Sequence, residues 1–200
     1  MNFVRPKPAT EEPELLRITA AQFQVMAEAG AFTGDRGVEL RGGLLYGMNP
    51  QHRPHLIAKT RLHQALFDAL RTAGSPLFAS SEGSVQLGDD QVPQSDLIVW
   101  ELVAGGGPVP GELVRLAIEV SDTTQADDLG RKRALYAAAS VPEYWVVDLP
   151  ARVVHQYWAP AEGAYARSAV VPFGQTIRSA TLAGLAVPTA ALLDEGEGSG

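Results

Sequence analysis

The stretch "LVRLAIEVSD", residues 113–122, has the branched apolar content of a buried β-strand, and it sets Glu119 among apolar neighbours. A buried carboxylate is costly unless a cation pairs with it or is ligated by it. Asp96 opens a second strand, "SDLIVW", directly after the turn "GDDQVPQS". Two carboxylates on adjacent strands can converge on one hard cation, whose remaining positions go to water and a substrate phosphate. The plainer roles are a turn cap for Asp96 and an ion pair with Arg115 or Lys132 for Glu119. The position of Glu119 in mid-strand favours the shared cation.

The next segment, "SDTTQADDLGRKRALY", carries Arg131, Lys132 and Arg133 into a helix that begins beside the end of that strand. A long cationic side chain there can orient an attacking water and offset charge on a phosphate. The competing role is a solvated basic face. Successive helical residues lie about 100° apart, so only one of the three can face the acids. Lys132 falls between Leu129, Leu135 and Tyr136 on the helical wheel and is the expected one. Gln125 is a neutral alternative that could position water. His52, His63 and His155 have no partner at ligand spacing, and His55 and His63 lie two turns apart, too far for one ion. "AGGGPVPG" lacks the Lys-Ser or Lys-Thr of a phosphate loop, and "ASSEGSV" is not a nucleophile elbow.

These residues need a scaffold, and the periodicity supplies one. "ITAAQFQVMAEAG" predicts a helix capped by Thr19 and closed by Gly30. "VELRGGLLYGM" predicts a tight hairpin about Gly42-Gly43. "HLIAKTRLHQALFDALRTA" predicts a helix with Leu56, Thr60, Leu66, Phe67 and Leu70 near one face. Short strands follow in "LFASSEGSVQL", "SDLIVW" and "LVRLAIEV", with a loop at "VAGGGPVPGE". The order strand, helix, strand over 113–148 is a βαβ unit with parallel neighbouring strands. "PEYWVVD" reads as structural, Tyr144 and Trp145 alternating with Val146 and Val147 until Asp148 ends the strand. "RVVHQYWAP" and "AYARSAVV" pair about Glu162-Gly163, and the apolar "LAGLAVPTAALL" packs back on the body. The class is mixed α/β with a curved central sheet.

Composition narrows the function further. A chain of 200 residues with 46% hydrophobic content can bury one sizeable core. The absence of cysteine excludes disulfides, a thiol nucleophile and thiolate zinc sites, and suits a reducing cytosol. The start "MNFVRPKPATEEPELLR" has no apolar signal region, and no run approaches the roughly 18 apolar residues of a membrane helix. A cytoplasmic location is expected. The net charge of −7 argues against a broad binder of nucleic-acid phosphates. Three of those acids, Asp194, Glu195 and Glu197, sit in the tail "DEGEGSG", which leaves −4 for the rest. The expected organisation is a loose arm over 1–17, one domain over 18–193 and a flexible acidic tail over 194–200.

Asp96, "IEVSDTT" and "DDLGRKRALYAAASVPEYWVVDL" together resemble the large bacterial Uma family of proposed restriction endonucleases, within the PD-(D/E)XK nuclease superfamily. The resemblance runs from "VELRGGLL" through "HLIAKTRLHQAL" to "VVHQYW". It implies a restriction-endonuclease-like fold and metal-dependent hydrolysis of phosphodiester bonds, in DNA first. Mg²⁺ or Mn²⁺ would be held by Asp96 and Glu119, with the carbonyl of Val120 as a further ligand. Lys132 would assist the attacking water, and Glu39 and His55 would stand at the rim of the site. Three positions depart from the family pattern. Leu44 stands where a second acid is common, Ser95 where the superfamily has Pro, and Ser121 where it has Lys. Those departures keep a second class open, a non-catalytic binding module on the same fold. A homodimer suits double-strand cutting, because symmetry supplies two sites.

Overall fold

The computed structural model describes residues 15–33, 37–48 and 50–192. Most of the arm expected over 1–17, and the whole tail at 194–200, lie outside the described residues. Helix α1 (Ala20–Glu28) starts at a capping box: Thr19 Oγ1 accepts from Gln22 N–H at 3.2 Å, and Gln22 Oε1 accepts from Thr19 N–H at 2.8 Å. Strands β1 (Val38–Arg41) and β2 (Leu44–Gly47) form the expected hairpin. Gly42 and Gly43 both lie at positive φ, 56° and 77°, which a two-residue turn of this hand requires. Ala20, Phe23, Leu40 and Val92 close a small core between α1 and this hairpin.

Helix α2 (Arg53–Thr72) buries Leu66 and Leu70 of the expected face but not its other members. Ala58, Lys59, Leu62, Leu66, Ala69 and Leu70 point inward, whereas Leu56, Thr60 and Phe67 are exposed. The buried stripe holds two alanines and a lysine, so the larger apolar residues outside it misplace the face.

The two-residue strand β4 (Gln91–Val92) pairs with β1 in a three-stranded sheet, and the body is a separate seven-stranded mixed sheet. Its strands are β3 (Phe78–Gln86), β5 (Gln94–Trp100), β6 (Val109–Pro110), β7 (Val114–Ser121), β8 (Glu143–Asp148), β9 (Val153–Ala161) and β10 (Ala164–Pro172). They lie in the order β10-β9-β8-β7-β5-β3-β6. β7 and β8 are parallel neighbours, as the strand–helix–strand order implies. The loop expected at "VAGGGPVPGE" contributes β6, a short parallel edge on β3. Alternation divides the central strands cleanly. Leu97, Val99, Leu116, Ile118, Trp145 and Val147 face α2. Ile98, Ala117, Tyr144 and Val146 face helix α3 (Arg133–Ala138) through Tyr136.

The segment before α3 corrects the sequence reading in one respect. Asp127–Lys132 is a π-helical turn rather than α-helix. Gly130 at its centre has a weak α preference, and such turns recur at functional sites. The C-terminal strands β11 (Thr176–Arg178) and β12 (Ala186–Pro188) return Ile177, Leu185 and Val187 to the α2-side core. Among the described residues no helix is long and apolar enough to cross a membrane.

Candidate functional site

A cavity of about 520 Å³ opens where β1, β5, β7, the start of α2 and the π turn meet. Asp96 and Glu119 both line it, at 8% and 2% exposure. β5 and β7 are antiparallel, and these residues stand one step past the Leu97–Ile118 pair, hence opposite one another on one face. Two bonds fix the strands at this level. Val120 N–H donates to Asp96 Oδ2 at 2.8 Å, and Ser95 Oγ donates to the Ile118 carbonyl at 3.1 Å. Ser95 thus ties the two strands together.

The three basic residues separate as the wheel requires. Arg131 turns outward to a two-point pair with Asp127, at 2.6 and 2.7 Å, and Arg133 lies over the Tyr157 ring. Lys132 turns inward. Its Nζ is 2.9 Å from Glu119 Oε2, 3.8 Å from Asp128 and 3.9 Å from Glu39. Gln125 bends back to the Asp122 carbonyl at 2.9 Å and does not reach the cavity. His55 Nε2 lies 3.1 Å from Asp96 Oδ2, and its buried Nδ1 has no hydrogen-bond partner among the described residues. Glu39 was expected at the rim but is fully buried. It accepts from Gln94 N–H at 3.0 Å and from Arg41, because its hairpin packs directly against the head of β5. Leu44, opposite Arg41 in the hairpin, leaves Glu39 as the hairpin's one cavity-lining acid among the described residues. His63 bonds the Ala79 carbonyl, and His155 lies 3.7 Å from Asp148, both away from this cavity.

Three participants escaped the sequence reading. Asp128 is buried and accepts from Thr124 Oγ1. Lys59, one helical turn after His55, is buried with Nζ 2.7 Å from Glu82 and 4.0 Å from Asp96 Oδ1. Tyr136 OH donates to Glu119 Oε1 at 3.4 Å. The four-residue spacings from His55 to Lys59 and from Asp128 to Lys132 were the available signals.

Electrostatics separate the two central acids. Burial alone would raise the Asp96 pKa, but His55, the Val120 N–H and Lys132 hold it below the ordinary value. Glu119 goes the other way. Complete burial pushes it well above the usual carboxylate range, Lys132 opposes this, and Asp96 and Asp128 push it further up. Burial likewise raises Asp128. Lys132 resists its own burial, and the surrounding carboxylates raise its pKa. The ammonium therefore stays charged beside Glu119. This is a nest of hard oxygen donors short of positive charge. Among the described residues no three His, Asp or Glu side chains make a complete metal cage. Two carboxylates alone would suit only an ion that keeps several positions for water and phosphate.

Comparison with known proteins bears on the same residues. Residues 20–190 match the family model Uma2, described as "Putative restriction endonuclease". The chain belongs to the Uma2 family. All the cavity residues named above fall within that span, so the Uma2 match covers the entire candidate site. A crystal structure of "a putative nuclease belonging to DUF820" from Anabaena variabilis ATCC 29413 superposes with a TM-score of 0.63 at 14% identity, covering 88% of this chain and 99% of the other. That likeness shows the restriction-endonuclease-like fold. A search of curated proteins finds no match.

Proposed function

We propose that this Uma2 protein is a metal-dependent endonuclease that hydrolyses phosphodiester bonds, with DNA as the expected substrate. The observation that carries the reading is the meeting of Asp96 and Glu119 across β5 and β7 beneath the Lys132 ammonium. Asp96, Glu119 and the Val120 carbonyl would hold Mg²⁺ or Mn²⁺. When bound, the ion would polarise the phosphate and acidify water. The chain's own groups do the rest. His55 and the Val120 N–H orient Asp96, and the depressed pKa keeps that carboxylate ionised. Tyr136, whose own pKa burial drives up, stays a hydroxyl donor to Glu119. Lys132 presents a fixed positive charge where charge develops on the phosphate, in a site largely screened from water.

A binding module on the same fold is the second reading. It is favoured by the engagement of Glu119 with Lys132 and by the excess of acids around the cavity. Plasmid nicking with Mn²⁺ or Mg²⁺, beside calorimetric titration of Mn²⁺, separates the two. The nuclease reading expects metal binding and nicking, both lost in Glu119→Gln while the variant stays folded. A protein that binds no metal at this site and nicks nothing is the binding module.

A further inference from the structure

The site has a feature that the chemistry above does not use: an aromatic ring at its mouth. In the hairpin register Tyr46 stands opposite Glu39, so both side chains lie on one face, the face that lines the cavity. Arg41, two residues after Glu39, shares that face. Its guanidinium lies 5.1 Å from the centre of the Tyr46 ring. Arg41 is itself fixed at 2.5 Å to Glu39, and it lies 3.8 Å from Asp127. The ring is therefore braced rather than loose, yet it stays 44% exposed on the edge strand β2.

Charge around the cavity points the same way. Its lining holds the acids Glu39, Asp96, Glu119, Asp122, Asp127 and Asp128 against two formal cations, Arg41 and Lys132. Both cations are already paired with carboxylates. Arg131, beside the mouth, is spent on Asp127, and Lys59 on Glu82. Tracking a duplex means neutralising several phosphates with free Lys and Arg, and among the described residues that line the cavity neither Lys nor Arg is free. Stacking a base on an aromatic face adds affinity beyond phosphate contacts, needs an unpaired base and works for every base.

We propose that Tyr46, braced by Arg41, is a stacking platform for an unpaired base, so that the preferred substrate is single-stranded or locally unpaired nucleic acid. The proposal rests on the nuclease reading and specifies its substrate class. A splayed strand brings one phosphate at a time to Asp96 and Glu119 and leaves its neighbouring base on the ring.

The test is fluorescence anisotropy with short labelled oligonucleotides of mixed sequence, in millimolar Ca²⁺. Single-stranded DNA, single-stranded RNA and the matching DNA duplex form the three arms. A single strand should bind at least about tenfold more tightly than the duplex, and the two single-stranded arms report which sugar is preferred. Tyr46→Ala should weaken single-strand binding by about 5- to 150-fold, the range that base–aromatic stacking supplies. Tyr46→Trp should retain it, and both variants should melt like wild type because the ring is exposed. Tighter binding of the duplex, or single-strand affinity unchanged in Tyr46→Ala, overturns the platform and leaves the nuclease reading standing. Binding in none of the three arms overturns both.

Discussion

Replacing Lys132 with Met tests whether the buried acids share one indispensable cation. The substitution keeps the length of the stem and removes the ammonium that lies 2.9 Å from Glu119, 3.8 Å from Asp128 and 3.9 Å from Glu39. At an effective dielectric near 20, a pair about 4 Å apart gains about 4 kcal/mol, so the gross attraction exceeds about 10 kcal/mol. Desolvating the ions cancels several kcal/mol of it for each group. Glu119 can also take up a proton once its partner has gone, because its pKa is already raised. The net loss should be about 3–5 kcal/mol, the usual cost of breaking a buried pair on one side. For a chain of this size that corresponds to a fall in Tm of about 6–20 °C. The assay is thermal and urea unfolding of both proteins at pH 8, with and without Mn²⁺. Mn²⁺ should stabilise Lys132→Met more than wild type, since the ion no longer competes with an ammonium for Glu119. Nicking should be lost even in the metal-stabilised variant. A variant that melts with wild type at pH 8 and shows no larger Mn²⁺ shift would refute the shared-cation reasoning.

Two further outcomes follow from groups at and beyond the site. Glu119 has a folded-state pKa above its ordinary value of 4.5. As pH rises past that value the unfolded chain releases its proton first, so Glu119 lowers native stability progressively with pH. Mn²⁺ needs the ionised acid, so the stabilisation it provides should grow over the same range; melts across the range check this, and a pH-independent Mn²⁺ shift contradicts it. The second outcome concerns Glu143, buried without a cation among the described residues and held by Trp145, Gln156, Ser179, Thr181 and the N–H of Ala180. Glu143→Gln turns an amide N–H₂ toward those donors and should cost about 2–5 kcal/mol. Hydrogen exchange should accelerate first at residues 176–189, with site chemistry retained. Intact protection of that segment would show that Glu143 does not anchor it.

The fold was legible because most of its elements announce their own period. Thr19 caps α1 as its place in the sequence suggests, and Gly42-Gly43 makes the turn it is suited to. The βαβ order over 113–148 dictated the parallel pairing of β7 and β8. The α2 face was misread because its inward positions include Ala58, Lys59 and Ala69, which carry little apolar weight. The π turn was invisible because side-chain pattern does not distinguish five-residue from four-residue bonding over a single turn.

At the site, sequence alone determined the residue types and their local settings. It put Asp96 and Glu119 on strands and gave the following helix a single inward-facing base, because backbone geometry fixes side-chain direction within an element. Tertiary structure decided which elements meet. The hairpin's docking buried Glu39 against Gln94, 55 residues away, and α2 brought His55 and Lys59 to Asp96. Register across β1 and β2 turned Tyr46 toward the cavity. Strand order and register depend on the whole core closing at once. Direction within an element is local, and convergence between elements is not.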